Sequence, residues 1–131
     1  MKKILLTGIL IIFSLSFTGC RTSQIQNVPN QHFSTYNSKI SNEDVYKAIK
    51  RAGLSLGWIV KKVDNNIALA TLNLRTHTAI VEIKYDLKNY SIKYKSSINL
   101  RYDKANNTIH SNYNGWITNL NNAIKVQLSG L

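Results

Sequence analysis

The chain has 131 residues, 44% of them hydrophobic, with a single cysteine, a single proline and 17 Lys and Arg against six acids, a net charge of +11. That length suits one domain rather than two, and one cysteine excludes an internal disulfide. So basic a chain favours anionic partners through long-range attraction that weakens with salt, and abundant Lys and Asn also follow from AT-rich coding.

Residues 1–20 set the context for the rest. Lys2 and Lys3 are followed by a 14-residue, largely apolar run, Ile4 to Phe17, then Thr18-Gly19 and Cys20. Basic, apolar and small residues in that order are the layout of a secretory signal peptide, and a bilayer-crossing helix needs about 20 apolar residues. The ending Phe17-Thr18-Gly19-Cys20 resembles the lipobox of bacterial lipoproteins, with Phe17 where the usual box has Leu. The resemblance implies cleavage before Cys20, lipidation of its thiol and a mature protein that begins there. It also implies an address in the cell envelope. In a Gram-negative cell, Arg21 after the cysteine resembles lipoproteins sent to the outer membrane, facing the periplasm. Removing residues 1–19 leaves 112 residues, with 15 basic side chains against six acids, or +9. The three acyl chains of that family exceed the two signals that stable anchoring takes, so a basic surface is not needed for attachment. The anions of such a compartment are phospholipid headgroups, lipopolysaccharide phosphates and acidic wall polymers; nucleic acid is not an expected partner.

Residues 20–40 comprise the lipidated cysteine and a polar stretch rich in Gln, Asn, Ser and Thr with the one proline, Pro29. They read as a flexible tether, with Phe33 and Tyr36 as residues that can dock its end. The folded domain is expected over residues 41–131. Ser41-Asn42-Glu43-Asp44 is a helix start, with Ser41 as cap and acids in the first turn. Val45, Ala48, Ile49 and Ala52 follow at helical spacing, and Gly53 is the expected stop.

Strands come next. Trp58 to Val63 is β-branched and aromatic, Asp64-Asn65-Asn66 is a turn, and Ile67 to Leu74 is apolar on both faces, as in a central strand. Ala79, Val81, Ile83 and Tyr85 alternate with Thr78, Ile80, Glu82 and Lys84; after a turn at 86–89, Tyr90, Ile92 and Tyr94 alternate with Ser91, Lys93 and Lys95. The alternation then outruns a normal strand, so a bulge is expected around Ser96-Ser97. Ser111 or Asn112 opens a second helix whose stripe is Tyr113, Trp116, Ile117, Leu120, Ala123, Ile124 and Leu128. Short loops make the strands an antiparallel meander. The predicted fold is therefore α+β: a two-layer sandwich of three to four strands with an N-terminal and a C-terminal helix on one face. The pattern Tyr90-x-Ile92-x-Tyr94-x-Ser96-x-Ile98-Asn99-Leu100-x-Tyr102, continued by Ile109-His110-x-x-Tyr113-Asn114-x-Trp116-Ile117-x-x-Leu120, resembles the C-terminal signature of small uncharacterised bacterial lipoproteins. That resemblance implies an exported α+β domain and carries no catalytic residue.

Motifs for chemistry are sparse. His32, His77 and His110 stand at no metal-ligand spacing, Ser96 and Ser97 lie inside a strand without a Gly-x-Ser-x-Gly elbow, and the acids belong to turns and a helix start apart from Glu82. No catalytic residue, metal or cofactor is expected. The tyrosines read first as core and second as stacking platforms for a glycan or headgroup beside lysines. The expected function is that of a non-enzymatic, lipid-anchored cell-envelope protein acting as an assembly, accessory or structural component. Its partner is another envelope protein or an anionic envelope polymer. The alternative is a binding module for an anionic glycan or lipid headgroup, using Lys84, Lys93 and Lys95 on the sheet face away from the helices.

Overall fold

The computed structural model describes residues 21–131; the leader and lipidation site expected in residues 1–20 lie outside the described residues. Nine elements follow in order: β1 (Thr22–Gln24), β2 (Val28–His32), α1 (Asn42–Ser55), β3 (Trp58–Asp64), β4 (Ile67–Leu74), β5 (His77–Tyr85), β6 (Asn89–Ile98), β7 (Thr108–His110) and α2 (Asn112–Leu128). Strands β3 to β6 are the predicted meander, and β2 joins its far side to make an antiparallel five-stranded sheet ordered β2-β6-β5-β4-β3. A small second sheet pairs β1 with β7.

Alternation decides the layers. Trp58 and Val60, Ala68, Ala70 and Leu72, Ala79, Val81 and Ile83, and Tyr90 and Ile92 are buried on one sheet face. Against them lie Val45, Ala48, Ile49 and Ala52 of α1 and Tyr113, Ile117, Leu120, Ile124 and Leu128 of α2. Three alanines on adjacent β4 and β5 leave room for the helices to approach. Both helices therefore cover a single face, and the structure is the predicted α+β sandwich.

Helix α1 opens with a capping box: Ser41 Oγ accepts from the Asp44 amide at 3.2 Å while the Asp44 carboxylate accepts from the Ser41 amide at 2.9 Å. These bonds to Ser41 hold the Asp44 carboxyl below the usual carboxylate range. The stop predicted at Gly53 is corrected. Gly53 lies inside the helix, where an added Cβ would run into Val60 Cγ2, so this glycine serves close packing. The chain turns out of the helix at Gly57, whose φ of +83° a residue with a side chain tolerates poorly. At the start of α2, Ser111 makes no side-chain cap bond; His110 Nδ1 accepts from the Asn112 amide at 3.3 Å instead.

The flexible tether is also corrected over much of residues 21–40. Backbone pairing overrides the polar composition: Thr22 to Gln24 pair with His110 to Thr108, and β2 pairs with β6. Amide side chains secure the segment. Asn114 accepts from the Gln26 amide at 3.0 Å and donates to Gln24 O at 2.8 Å and Ser23 Oγ at 3.0 Å, and Asn27 Oδ1 accepts from the Tyr94 amide at 2.8 Å. Phe33 docks near Tyr90, centroids 6.4 Å apart, whereas Tyr36 is 96% exposed. Pro29 sits on an edge strand, where the amide it lacks is not needed.

The opposite edge, β3, is closed differently. The Tyr46 hydroxyl accepts from the Lys62 amide at 3.2 Å and reaches Val60 O at 3.5 Å. Those are the backbone groups an added strand would use, so one side chain blocks the edge. Lys62 lies over the Tyr46 ring and pairs with Glu43 at 3.5 Å, which holds the plug in place.

Candidate functional site

The sheet face turned away from the helices is the most distinctive surface among the described residues, because no second layer covers it. Its cross-strand rows follow from the register. Ile59 faces Thr71, and Thr71 faces Ile80; Lys61 faces Leu69, Leu69 faces Glu82, and Glu82 faces Lys93; Ile67 faces Lys84, and Lys84 faces Ser91. Ile59 is 51% exposed, and Leu69, Thr71 and Ile80 are half-buried by their own neighbours. A shallow groove of about 240 Å³ runs between Ile59, Lys61, Val63, Leu69 and Thr71.

Of the three lysines predicted here, Lys84 and Lys93 occupy the open face at register positions facing Ile67 and Glu82. Lys84 Nζ lies 3.6 Å from Glu82, so the one acid of the face is matched by a neighbour on its own strand. Lys95 does not share their register. The expected bulge falls at this residue: Ile80 pairs with Ser96 and Val81 with Tyr94, leaving Lys95 as the extra, exposed residue. Lys61 was missed, although its place between buried Val60 and exposed Lys62 is consistent with strand alternation. The apolar centre is the second apolar face of β4, a pattern expected of a central strand, and β4 does lie inside the sheet between β3 and β5.

Other predicted groups fall elsewhere. Tyr85 and Tyr90 are buried beneath the helices and Tyr113 on the inner side of α2, and Tyr94 packs against Tyr102 at a tilt, centroids 4.5 Å apart, and meets Tyr113 edge-on at 5.7 Å. Burial pushes the Tyr90 phenol up to about 12 and raises those of Tyr113, Tyr85 and Tyr94. Tyr85, Tyr90 and Tyr113 are core and Tyr94 packs at its margin; Tyr85 and Tyr90 reach the depression beside Lys84 with 3% and 2% of their surface, so among the described residues no open stacking platform forms beside Lys84 and Lys93. Ser97 shares a hydrogen bond with Tyr94 Oη at 2.8 Å, which ties its hydroxyl to the core's margin. His77 and His110, 33 residues apart in sequence, come together with ring centroids 6.2 Å apart; His77 Nδ1 is 2.7 Å from Asn99 O. Among the described residues no three His, Cys, Asp or Glu side chains gather at metal-binding distance, and no helix is long and apolar enough to cross a membrane.

At the turn end of the open face, Asn30, Asn66, Lys84, Asp86, Asn89 and Ser91 rim a depression of about 320 Å³. Ile67, Tyr85 and Tyr90 complete its lining, so it mixes polar and apolar groups where the groove is mostly apolar. The open face can therefore bury a partner's apolar side chains at its centre and meet negative charge around them. Compared with protein-family models, curated proteins and solved structures, the chain matches none.

Proposed function

We propose that this protein is a non-enzymatic, lipid-anchored component of a bacterial cell envelope, and that it docks another envelope protein on the open face of its sheet. The uncovered row Ile59-Thr71-Ile80, with Leu69 beside it and Lys61, Lys84 and Lys93 around it, carries this reading. An apolar centre with a charged rim is the anatomy of a protein interface. The blocked β3 edge favours docking by side chains over strand addition. The anchor rests on the lipobox resemblance and keeps the module at a membrane surface.

Photo-crosslinking in the native host tests it. A crosslinker at Leu69 or Ile80 should trap a discrete envelope protein, and one at Val126 on α2 should not. Equal, diffuse labelling from both sides would sink the proposal. A second reading is favoured by the amide-lined depression beside Lys84: an anionic glycan seated there. Lys84→Glu with Lys93→Glu should then abolish salt-sensitive binding of acidic wall polymers and leave the protein crosslinks intact.

A further inference from the structure

The end of the domain from which the chain runs back to Cys20 carries an arrangement that the docking face does not use. Arg21 is held there, its carbonyl accepting from the Ser111 amide at 2.9 Å. His110, one residue earlier, donates its amide to Leu100 O at 2.8 Å, which places Arg101 beside the same junction. The His77 and His110 rings lie together, and Asn99 Nδ2 donates to Thr76 Oγ1 at 2.9 Å, which brings in the β4–β5 turn and Arg75. Three exposed arginines thus gather at one end, and neither ion pair among the described residues involves them. Glu43, Asp44, Asp64 and Asp86 lie at the opposite end, in the first turn of α1 and at the far turns of the sheet, and Asp103, two residues from Arg101, has its carboxylate engaged by the Ala105 and Asn106 amides and the Asn106 side chain.

Two further observations point the same way. Arg75 and Arg101 have φ of 56° and 53°; the other three left-handed residues with side chains are all asparagines, which suit that conformation. Arginine stands at these two tips against local preference, as expected where its charge is used. Next to them, Leu74 and Ile98 are exposed, at 46% and 65%. Leu74 follows Leu72 on the helix side and Ile98, paired with Thr78, lies on the open side, so one exposed apolar residue flanks the arginine end on each sheet face; guanidinium groups flanked in this way match a bilayer surface, where phosphates accept from arginine.

We infer that Arg21, Arg75 and Arg101, with Leu74 and Ile98, form a contact surface for anionic phospholipid headgroups, and that this surface sets the domain's orientation. The inference rests on the reading that Cys20 is lipidated. Arg21 follows that anchor directly in the chain, so this end must lie at the membrane. The acyl chains attach; the arginines orient, keeping the open sheet face upright and available to a partner.

Amide hydrogen exchange on the processed protein reconstituted in vesicles tests this. Residues 75–76 and 99–102 should be protected in phosphatidylglycerol-rich vesicles relative to phosphatidylcholine vesicles, the difference vanishing in high salt, with turns 65–66 and 86–88 unchanged. Arg75→Asn with Arg101→Asn, which suits the left-handed backbone, should lower the docked-to-free ratio about thirtyfold, the worth of two basic residues at such a surface. Arg→Lys at both positions should retain most of the docking. Identical exchange in the two lipids, or protection of Ile59 to Val63 in place of the arginine end, would overturn the inference. Intact mass reports acylation of Cys20 separately. If the thiol is bare, the anchor reading fails, and salt-sensitive co-sedimentation of the same protein with the same vesicles decides the arginine surface alone.

Discussion

Gly53 shows how much a single position decides. It is buried inside α1 where the helix crosses β3, and any side chain there meets Val60 and Trp58. Gly53→Ala, which raises helix propensity, should nevertheless destabilise the fold by about 1–3 kcal/mol, because an overpacked contact outweighs a propensity gain of about 1 kcal/mol. Urea unfolding checks this, and a stabilised variant would contradict the packing. Tyr90 makes a pH prediction. Its hydroxyl donates to Asn121 Oδ1 at 2.6 Å, and burial pushes its pKa up to about 12. A phenol that keeps its proton longer when folded contributes fully below the unfolded pKa of about 10 and loses that contribution as pH rises to about 12. Stability should fall by about 2 kcal/mol across that window for Tyr90, with Tyr113 adding in the same direction. Tyr90→Phe should be about 1 kcal/mol less stable near neutrality, where only the hydrogen bond is lost, and should show a shallower alkaline decline.

At the scale of elements, the two edges of the sheet are handled by different means. Strand β2 pairs along β6 and brings Pro29 to the margin, while Tyr46 occupies the outer groups of β3. Tyr46→Phe removes that hydroxyl and nothing else, so it should cost about 1 kcal/mol and expose two adjacent backbone groups. Concentration-dependent sedimentation should then show more self-association than in the parent chain; unchanged sedimentation would show that the ring alone suffices. The N-terminal segment depends on one side chain in a comparable way. Asn114 makes three bonds to residues 23–26, and Asn114→Ala should free β1, seen as faster amide exchange over residues 22–28 with the five-stranded core unchanged.

Taken as a whole, the molecule divides its surface by role. One sheet face is core, the other is open, and the arginine-bearing end holds Arg21, the first described residue. The net charge of +11 is therefore not one uniform field. Lysines surround the apolar groove, three of the four arginines mark one end of the domain, and four of the six acids sit at the other end. Raising salt should release the arginine end from vesicles while leaving a protein docked on Leu69 and Ile80, since apolar contact is not screened. Parallel salt titrations of amide exchange and of photo-crosslinking check that separation.

Local chemistry was enough for much of this. The period-two run at 78–85 sets Ala79, Val81, Ile83 and Tyr85 inward, as they are found, because a strand with one core face has only one register that buries it, whereas 67–74, apolar on both faces, leaves its inward side to the sheet. The capping box at Ser41 and the stripe from Tyr113 to Leu128 are equally local, so both helices were legible. Three outcomes depended on tertiary structure. Residues 21–32 have no apolar period, and they become strands only because β6 and β7 offer unpaired backbone groups. Lys95 left its register because of a bulge that fell one residue before the predicted Ser96-Ser97. Arg21, Arg75 and Arg101 are up to 80 residues apart, and only the junction of Ser111, His110 and Leu100 brings them to one end. Alternation and capping act within a few residues and can be read in order along the chain. Edge pairing and charge clustering are made by residues distant in sequence, and they exist only once the sheet has closed.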